Sequence, residues 1–186
     1  QGEPINEATK DRIGYLPEER GLYKKLTVTE SLYYLASLKN MRRSQARDRA
    51  TQLLERVNML PHKDKKTEEL SHGMGQLIQF IATILHNPEL VILDEPFAAL
   101  DPVNTQLLKD FIRELRSQGK AIIMSTHMMN QVEELSDRIL MINKGRVVLY
   151  GSFGEIKSRF RNNSVFIECN RLPESIAGVA GSKNHG

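Results

Sequence analysis

The chain is 186 residues long, 40% hydrophobic and 26% charged, with a formal net charge of +3. That length fits one domain, or one domain and a fragment, with enough chain to bury a core, and the composition excludes wholesale disorder. A charge of +3 does not by itself argue for nucleic acid, the lone Cys169 excludes an internal disulfide framework, and no apolar run reaches the roughly 20 residues that span a bilayer. One cysteine suits a reducing compartment, and Cys169 also reads simply as a small apolar strand residue. Any membrane role is expected to come through a partner.

In chain order, residues 12–16 read as a short strand closed by Pro17 and the charged run Glu18-Glu19-Arg20. Thr27-Val28-Thr29-Glu30 is a capping-box pattern and opens a predicted helix to about residue 41, with Leu32, Leu35 and Leu38 on one face. Ser44 is the expected cap of a second helix to about residue 59. Its apolar stripe is Ala50, Leu53, Leu54 and Val57, and Arg42, Arg43, Arg47 and Arg49 are expected to face out. Those arginines carry no interleaved aromatics for base stacking, so they read as a solvated face. A lysine-rich loop over residues 61–69 leads into Leu70-Ser71-His72-Gly73, followed by a helix with Leu77, Ile78, Ile81, Ile84 and Leu85 on one face.

Asn87-Pro88 breaks that helix, and Leu90-Val91-Ile92-Leu93 runs straight into Asp94-Glu95-Pro96. A continuous apolar run of this kind predicts a buried strand of a parallel sheet, and acids at its carboxyl end stand where open α/β sheets bind ligands. An isolated Asp-Glu pair also fits a strand that ends in two solvated acids. Asp101 is a predicted N-cap with Pro102 at the first helical position, for a helix to about residue 117. Residues 120–125 read as a second buried strand delivering Thr126-His127 to the sheet rim. A helix over residues 128–135, strands over 138–143 and 146–150 around Lys144-Gly145, a helix over 153–160 and a strand over 164–169 complete the chain. The alternation predicts an α/β fold with a mostly parallel sheet, interrupted by a helical lobe.

Taken in order, Leu70-Ser71-x-Gly73, the helix after it, Leu93-Asp94-Glu95-Pro96, Ala99-Leu100-Asp101 and Ser125-Thr126-His127 resemble the ATPase domain of ABC transporters over residues 12–155. The phrase Gly14-Tyr15-Leu16-Pro17-Glu18-Glu19-Arg20-Gly21-Leu22-Tyr23 resembles the bacterial sodium-efflux and drug-export type. The resemblance implies ATP and Mg²⁺ as ligands, with Asp94 as the Walker B metal ligand and Glu95 polarising the attacking water. It makes His127 the switch histidine that contacts the γ-phosphate. Ser71 and Gly73 become the signature loop that grips the nucleotide of an opposite subunit, a helix start being a natural anion site. Asp101 would communicate across that dimer interface, and capping its own helix explains it equally well. Glu18 occupies the place of a glutamine that links Mg²⁺ to the helical lobe, although it also reads as a surface acid. His72 stands where the signature has a glycine.

The phosphate-cradling Gly-x-x-x-x-Gly-Lys-Ser/Thr is absent from these residues; the only Gly-Lys pair, Gly119-Lys120, is followed by Ala121. The loop is expected upstream of Gln1, which makes the fold an N-terminally truncated P-loop ATPase. Residues 1–158 are then the C-terminal two-thirds of an ATPase domain with a helical lobe at about 27–86, and residues 159–186 the start of an incomplete accessory domain. Alone, the chain is expected to bind MgATP weakly and to expose apolar sheet surface. Its expected partners are a transmembrane permease subunit and a second ATPase subunit in a head-to-tail dimer. Its expected place is cytoplasmic, peripheral to the inner face of the cell membrane. Two other readings stand beside the exporter: a soluble ATPase of this family acting on nucleic acid or the ribosome, and a non-catalytic subunit that contributes only the signature half of a site. Fewer than sixty residues separate Glu18 from Ser71, which leaves no room for the long coiled-coil insertion of the nucleic-acid class.

Overall fold

The computed structural model describes residues 6–19 and 21–159. They divide into two compact units between Asp137 and Arg138. The strand expected over residues 164–169, with Cys169, lies outside the described residues.

The first unit begins with helix α1 (Glu7–Asp11), capped by Asn6, and strand β1 (Ile13–Leu16). Two helices follow, α2 (Val28–Ser37) and α3 (Arg43–Arg56). Helix α4 (His72–Ile84) leads to β2 (Leu90–Asp94), α5 (Pro102–Ser117), β3 (Ala121–Ser125) and α6 (Met129–Leu135). The three strands form one parallel sheet in the order β1-β2-β3, with Leu16 opposite Leu93 and Asp94 opposite Ser125. Their carboxyl ends are therefore level, and the segments after Leu16, Asp94 and Ser125 all leave from the same edge.

The reading of α2 holds at its start. The Thr27 side chain accepts from the Glu30 amide at 3.2 Å, and the Glu30 carboxylate accepts from the Thr27 amide at 2.8 Å, a complete capping box. The helix stops at Ser37, sooner than expected, because Met41 N–H turns back to Ala36 O and Asn40 takes a left-handed φ of 56°. Leu38 is consequently exposed. Ser44 is not the cap of α3. The helix starts at Arg43 behind an extended Arg42 whose carbonyl accepts from Ala46 N–H, which turns Ala46, Ala50, Leu53 and Leu54 inward. Arg49 does not face out: it is half-buried, its guanidinium reaches Asn87 at 3.5 Å, and its Nε is buried without a partner.

Helix α4 organises the unit. Leu77, Ile78, Ile81, Ile84 and Leu85 are buried as expected, but so are Gln76, Gln79, Phe80 and Thr83, so the helix is enclosed nearly all round. One side meets α2 and α3 and another meets β1, and Phe80 stacks edge-on to Phe111 of α5 at 5.7 Å between centroids. The helical lobe thus shares one continuous core with the sheet, including Val91 and Leu93 of β2 and Leu108, Phe111, Ile112 and Leu115 of α5. Gly14 lets β1 and α4 approach to backbone contact, since a Cβ there would overlap the Thr83 carbonyl oxygen.

Among the described residues of this unit the sheet is covered on this face only, which corrects the expectation of strands buried on both sides. Val91 and Leu93 are buried, whereas Ile92 is half-buried, and on the same face Tyr15 and Ile123 are 57% and 58% exposed. β3 is an edge strand with alternating exposure, not a buried one.

The second unit contains an antiparallel hairpin of β4 (Arg138–Asn143) and β5 (Arg146–Ser152), closed by Lys144-Gly145 with both φ angles positive, followed by α7 (Phe153–Arg159). The Glu155 carboxylate accepts from Ser152 N–H at 2.7 Å and starts that helix.

Candidate functional site

Asp94 is the last residue of β2, and its neighbour across the sheet is Ser125, the last residue of β3. The Ser125 hydroxyl donates to Asp94 Oδ1, which fixes the carboxylate at the sheet edge. Glu95 then leaves the strand in a left-handed conformation with φ 43°, unusual for a residue with a Cβ and a mark of stored local strain. Its amide is held by the Ser125 carbonyl at 3.2 Å and the Ser125 hydroxyl at 3.3 Å. The turn carries the Glu95 side chain to His127: Oε1 accepts the His127 backbone N–H at 3.0 Å and lies 2.9 Å from Nδ1. Both contacts fall on one oxygen, and among the described residues Oε2 accepts none. The His127 side chain is 82% exposed and that of Glu95 20%, so the ring lies open to solvent over a partly sheltered carboxylate.

Ser125 thus links Asp94 to the Glu95 backbone, and the Glu95 side chain in turn bonds His127. A carboxylate with one fixed oxygen beside a sheltered carboxylate linked to an imidazole is suited to metal ligation on the first and water orientation on the second. Among the described residues no group of three His, Cys, Asp or Glu side chains is placed to cage a metal ion.

Ser71 and Gly73 open α4. Ser71 is its N-cap, and the hydroxyl accepts from Met74 N–H at 3.2 Å while keeping its own hydrogen to donate. Gly73 sits where a Cβ would come 3.0 Å from the Ala99 carbonyl, so the start of α4 packs on the turn after Glu95, in which Ala99 has φ 62°. Further along α4, Gln76 donates from its buried amide to the Pro96 carbonyl at 3.2 Å and ties the helix to the same turn. Asp101 caps α5, accepting from Asn104 N–H at 2.9 Å and from the Asn104 side chain at 2.6 Å. Those donors, the backbone one foremost, hold its carboxyl below the usual range. The capping reading of Asp101 is therefore observed.

Glu18 is exposed and among the described residues makes no hydrogen bond or ion pair. It stands two residues beyond Leu16, the partner of Leu93, so it leaves the strand adjacent to that of Asp94 at the same sheet edge. Its loop is not loose. Gln79, buried in α4, donates to the carbonyls of Pro17 and Glu19 at 3.1 and 3.0 Å and accepts from Gly21 N–H at 3.2 Å. The sequence reading assigned no role to Ser125, Gln76 or Gln79. For the glutamines the available signal was an amide at inward-facing positions of an otherwise apolar helix, where burial demands a partner.

Comparison with known proteins gives one direction. The family model described as ABC transporter matches residues 1–98. The ABC transporter ATP-binding protein YhaQ of Bacillus subtilis (strain 168) is 47% identical over 182 residues, covering 96% of this chain and 61% of that protein. The linearmycin resistance ATP-binding protein LnrL of the same organism is 32% identical over 156 residues, covering 84% of this chain and 50% of that protein. A solved structure of the ATP-binding subunit of an ABC transporter superposes with a TM-score of 0.77 at 28% identity, covering 83% of this chain and 64% of that one. The chain thus spans between half and two thirds of the length of these relatives.

Proposed function

This chain belongs to the ABC transporter family of ATP-binding proteins, and from that membership we propose that it serves an ATP-hydrolysing subunit that powers export through a membrane-embedded permease. The observation that carries the catalytic part is the hydrogen-bonded set Ser125–Asp94–Glu95–His127 at the carboxyl edge of a parallel sheet. Asp94 and Glu18, which leave adjacent strands at the same sheet edge, would hold Mg²⁺, which when bound would supply positive charge to the phosphate oxygens. Glu95 orients and partly deprotonates a water through its free oxygen, and His127 positions Glu95 and meets the γ-phosphate. Ser71 and the amides at the start of α4 serve the nucleotide of a second subunit arranged head to tail, where donors and helix dipole favour an anion. The export direction is supported by the resistance named for the relative LnrL and by the drug-export type of phrase at residues 14–23. No described helix is long and apolar enough to cross a membrane; attachment to the inner face of the cell membrane follows in this proposal from the permease.

These 186 residues contain no phosphate-cradling glycine loop, and Glu18, Asp94 and Glu95 would repel the part of the triphosphate charge that Mg²⁺ leaves uncompensated. Alone, the polypeptide should bind MgATP weakly and hydrolyse none. The test is to mix it with an intact family member whose own signature serine has been substituted. Hydrolysis should return on mixing and vanish again with Ser71→Ala in this chain. No restored hydrolysis at saturating chain, or restoration unaffected by Ser71→Ala, sinks the head-to-tail assignment, and micromolar MgATP binding by the chain alone in calorimetry sinks the expected weakness.

A further inference from the structure

We infer that Gln79 is the positioning residue for Glu18, and that through it α4 acts as one body with the loop backbone at Pro17, Glu19 and Gly21. The inference rests on the proposed sharing of a metal by Glu18 and Asp94. Its observation is a single residue, 4% exposed, whose side chain makes three hydrogen bonds, all to one loop. Both amide hydrogens go to carbonyls that flank Glu18, those of Pro17 and Glu19, at 3.1 and 3.0 Å. The amide oxygen takes Gly21 N–H at 3.2 Å, where the loop ends.

Glu18 itself has no partner among the described residues, so its place is set entirely by the backbone that bears it. Without the clamp that backbone would have two carbonyls and an amide to satisfy in a partly buried setting, and it would seek water. One turn further along α4, Thr83 donates to the Gln79 carbonyl at 2.9 Å and approaches the Tyr15 carbonyl at 3.3 Å, while Gly14 brings β1 against the same helix backbone. The helix that begins at Ser71 and the loop that carries Glu18 are therefore bonded at consecutive turns. A displacement of one end of α4 is passed to the loop, because breaking the link gives up three part-buried hydrogen bonds at once.

The test uses the chain as it stands, with Mn²⁺ as a paramagnetic stand-in for Mg²⁺ and nuclear magnetic resonance as the readout. In the parent protein Mn²⁺ should broaden the amides of Glu18 and Glu95 together, and the Gly21 amide should exchange slowly. Gln79→Leu should speed Gly21 exchange by roughly tenfold or more and weaken broadening at Glu18 relative to Glu95, with the methyl signals of Ile78 and Ile81 unmoved. Gln79→Glu keeps the acceptor for Gly21 and loses both donors, so it should retain slow Gly21 exchange yet still weaken broadening at Glu18; it decides the matter if the leucine variant does not fold. Gly21 exchange in Gln79→Leu within about twofold of the parent, or an unchanged ratio of broadening at Glu18 and Glu95 in either variant, overturns the positioning role. If Mn²⁺ broadens neither amide in the parent, the shared-metal reading falls, and the exchange rates still decide whether Gln79 holds the loop.

Discussion

Gly73 shows how a residue proposed for binding also answers to packing. The motif marks it as an amide donor at the start of a helix, yet the structure also gives its missing side chain a reason: a Cβ would stand 3.0 Å from the Ala99 carbonyl and 3.7 Å from Leu100 Cδ2. An alanine there forces a shift of a few tenths of an ångström but gains helix propensity of about 1 kcal/mol over glycine, so Gly73→Ala should leave stability near the parent. Gly73→Val cannot be absorbed this way and should lose about 1–3 kcal/mol through overpacking against backbone. Urea unfolding of the two variants separates the effects, and a valine variant with the parent's midpoint would mean that the Ala99 turn yields freely. The contact was not legible in the sequence, because Ala99 lies 26 positions away and reaches Gly73 only through the left-handed turn that starts at Glu95. What the sequence did carry was the grouping: Asp94, Glu95 and His127 were singled out by type and order, and the structure places Glu95 in contact with His127 and Asp94 in contact with Ser125.

At the scale of elements, local signals decided what could be read. The box at Thr27 and Glu30, the cap at Asp101 and the turn at Lys144-Gly145 are all set by neighbours in sequence and all form. The start of α3 and the burial of Arg49 depend on α2 and on the end of α4, and both were misread. The end of α4 also holds a titratable group. His86 lies against β1, with Nε2 3.1 Å from the Ile13 carbonyl, and burial, foremost, lowers its pKa from the ordinary 6.5. Lys39 and Arg49 add to the lowering, while the Ile13 carbonyl and Asp11 oppose it. A base with a depressed folded pKa leaves the unfolded chain binding protons more readily. The stability it contributes is whole above the unfolded value and is lost as pH falls through the folded one. The urea midpoint should therefore drop between about pH 7.5 and 5.5, and His86→Gln, which keeps a donor for Ile13, should flatten that drop. Glu89 and Glu134, held below 4.5 chiefly by hydrogen bonds from Arg12 and Lys109, act only in more acid solution. An equal slope in the variant would remove His86 as its source.

At the scale of the whole molecule, the open face of the sheet dominates behaviour in solution. Parallel register places Tyr15 beside Ile92 and Ile92 beside Ile123, so one apolar row crosses all three strands. Its two outer members are more than half exposed, and β1 and β3 are both edges of the sheet. Contiguous apolar surface flanked by unpaired strand edges favours association, since covering it releases water and pairing the edge satisfies backbone groups together. The hydrophobic gain is about 25 cal/mol per Å² covered, from which the loss of translational and rotational freedom on association is subtracted, so covering two large side chains on each partner favours weak self-association. Sedimentation velocity over a concentration series should show the parent chain associating. Tyr15→Thr with Ile123→Thr keeps strand propensity while removing the apolar row, and it should shift the association to higher concentration without lowering the unfolding free energy by more than about 1 kcal/mol. A parent that stays monomeric throughout the series, or a double variant that associates as readily, would show that this face does not drive association.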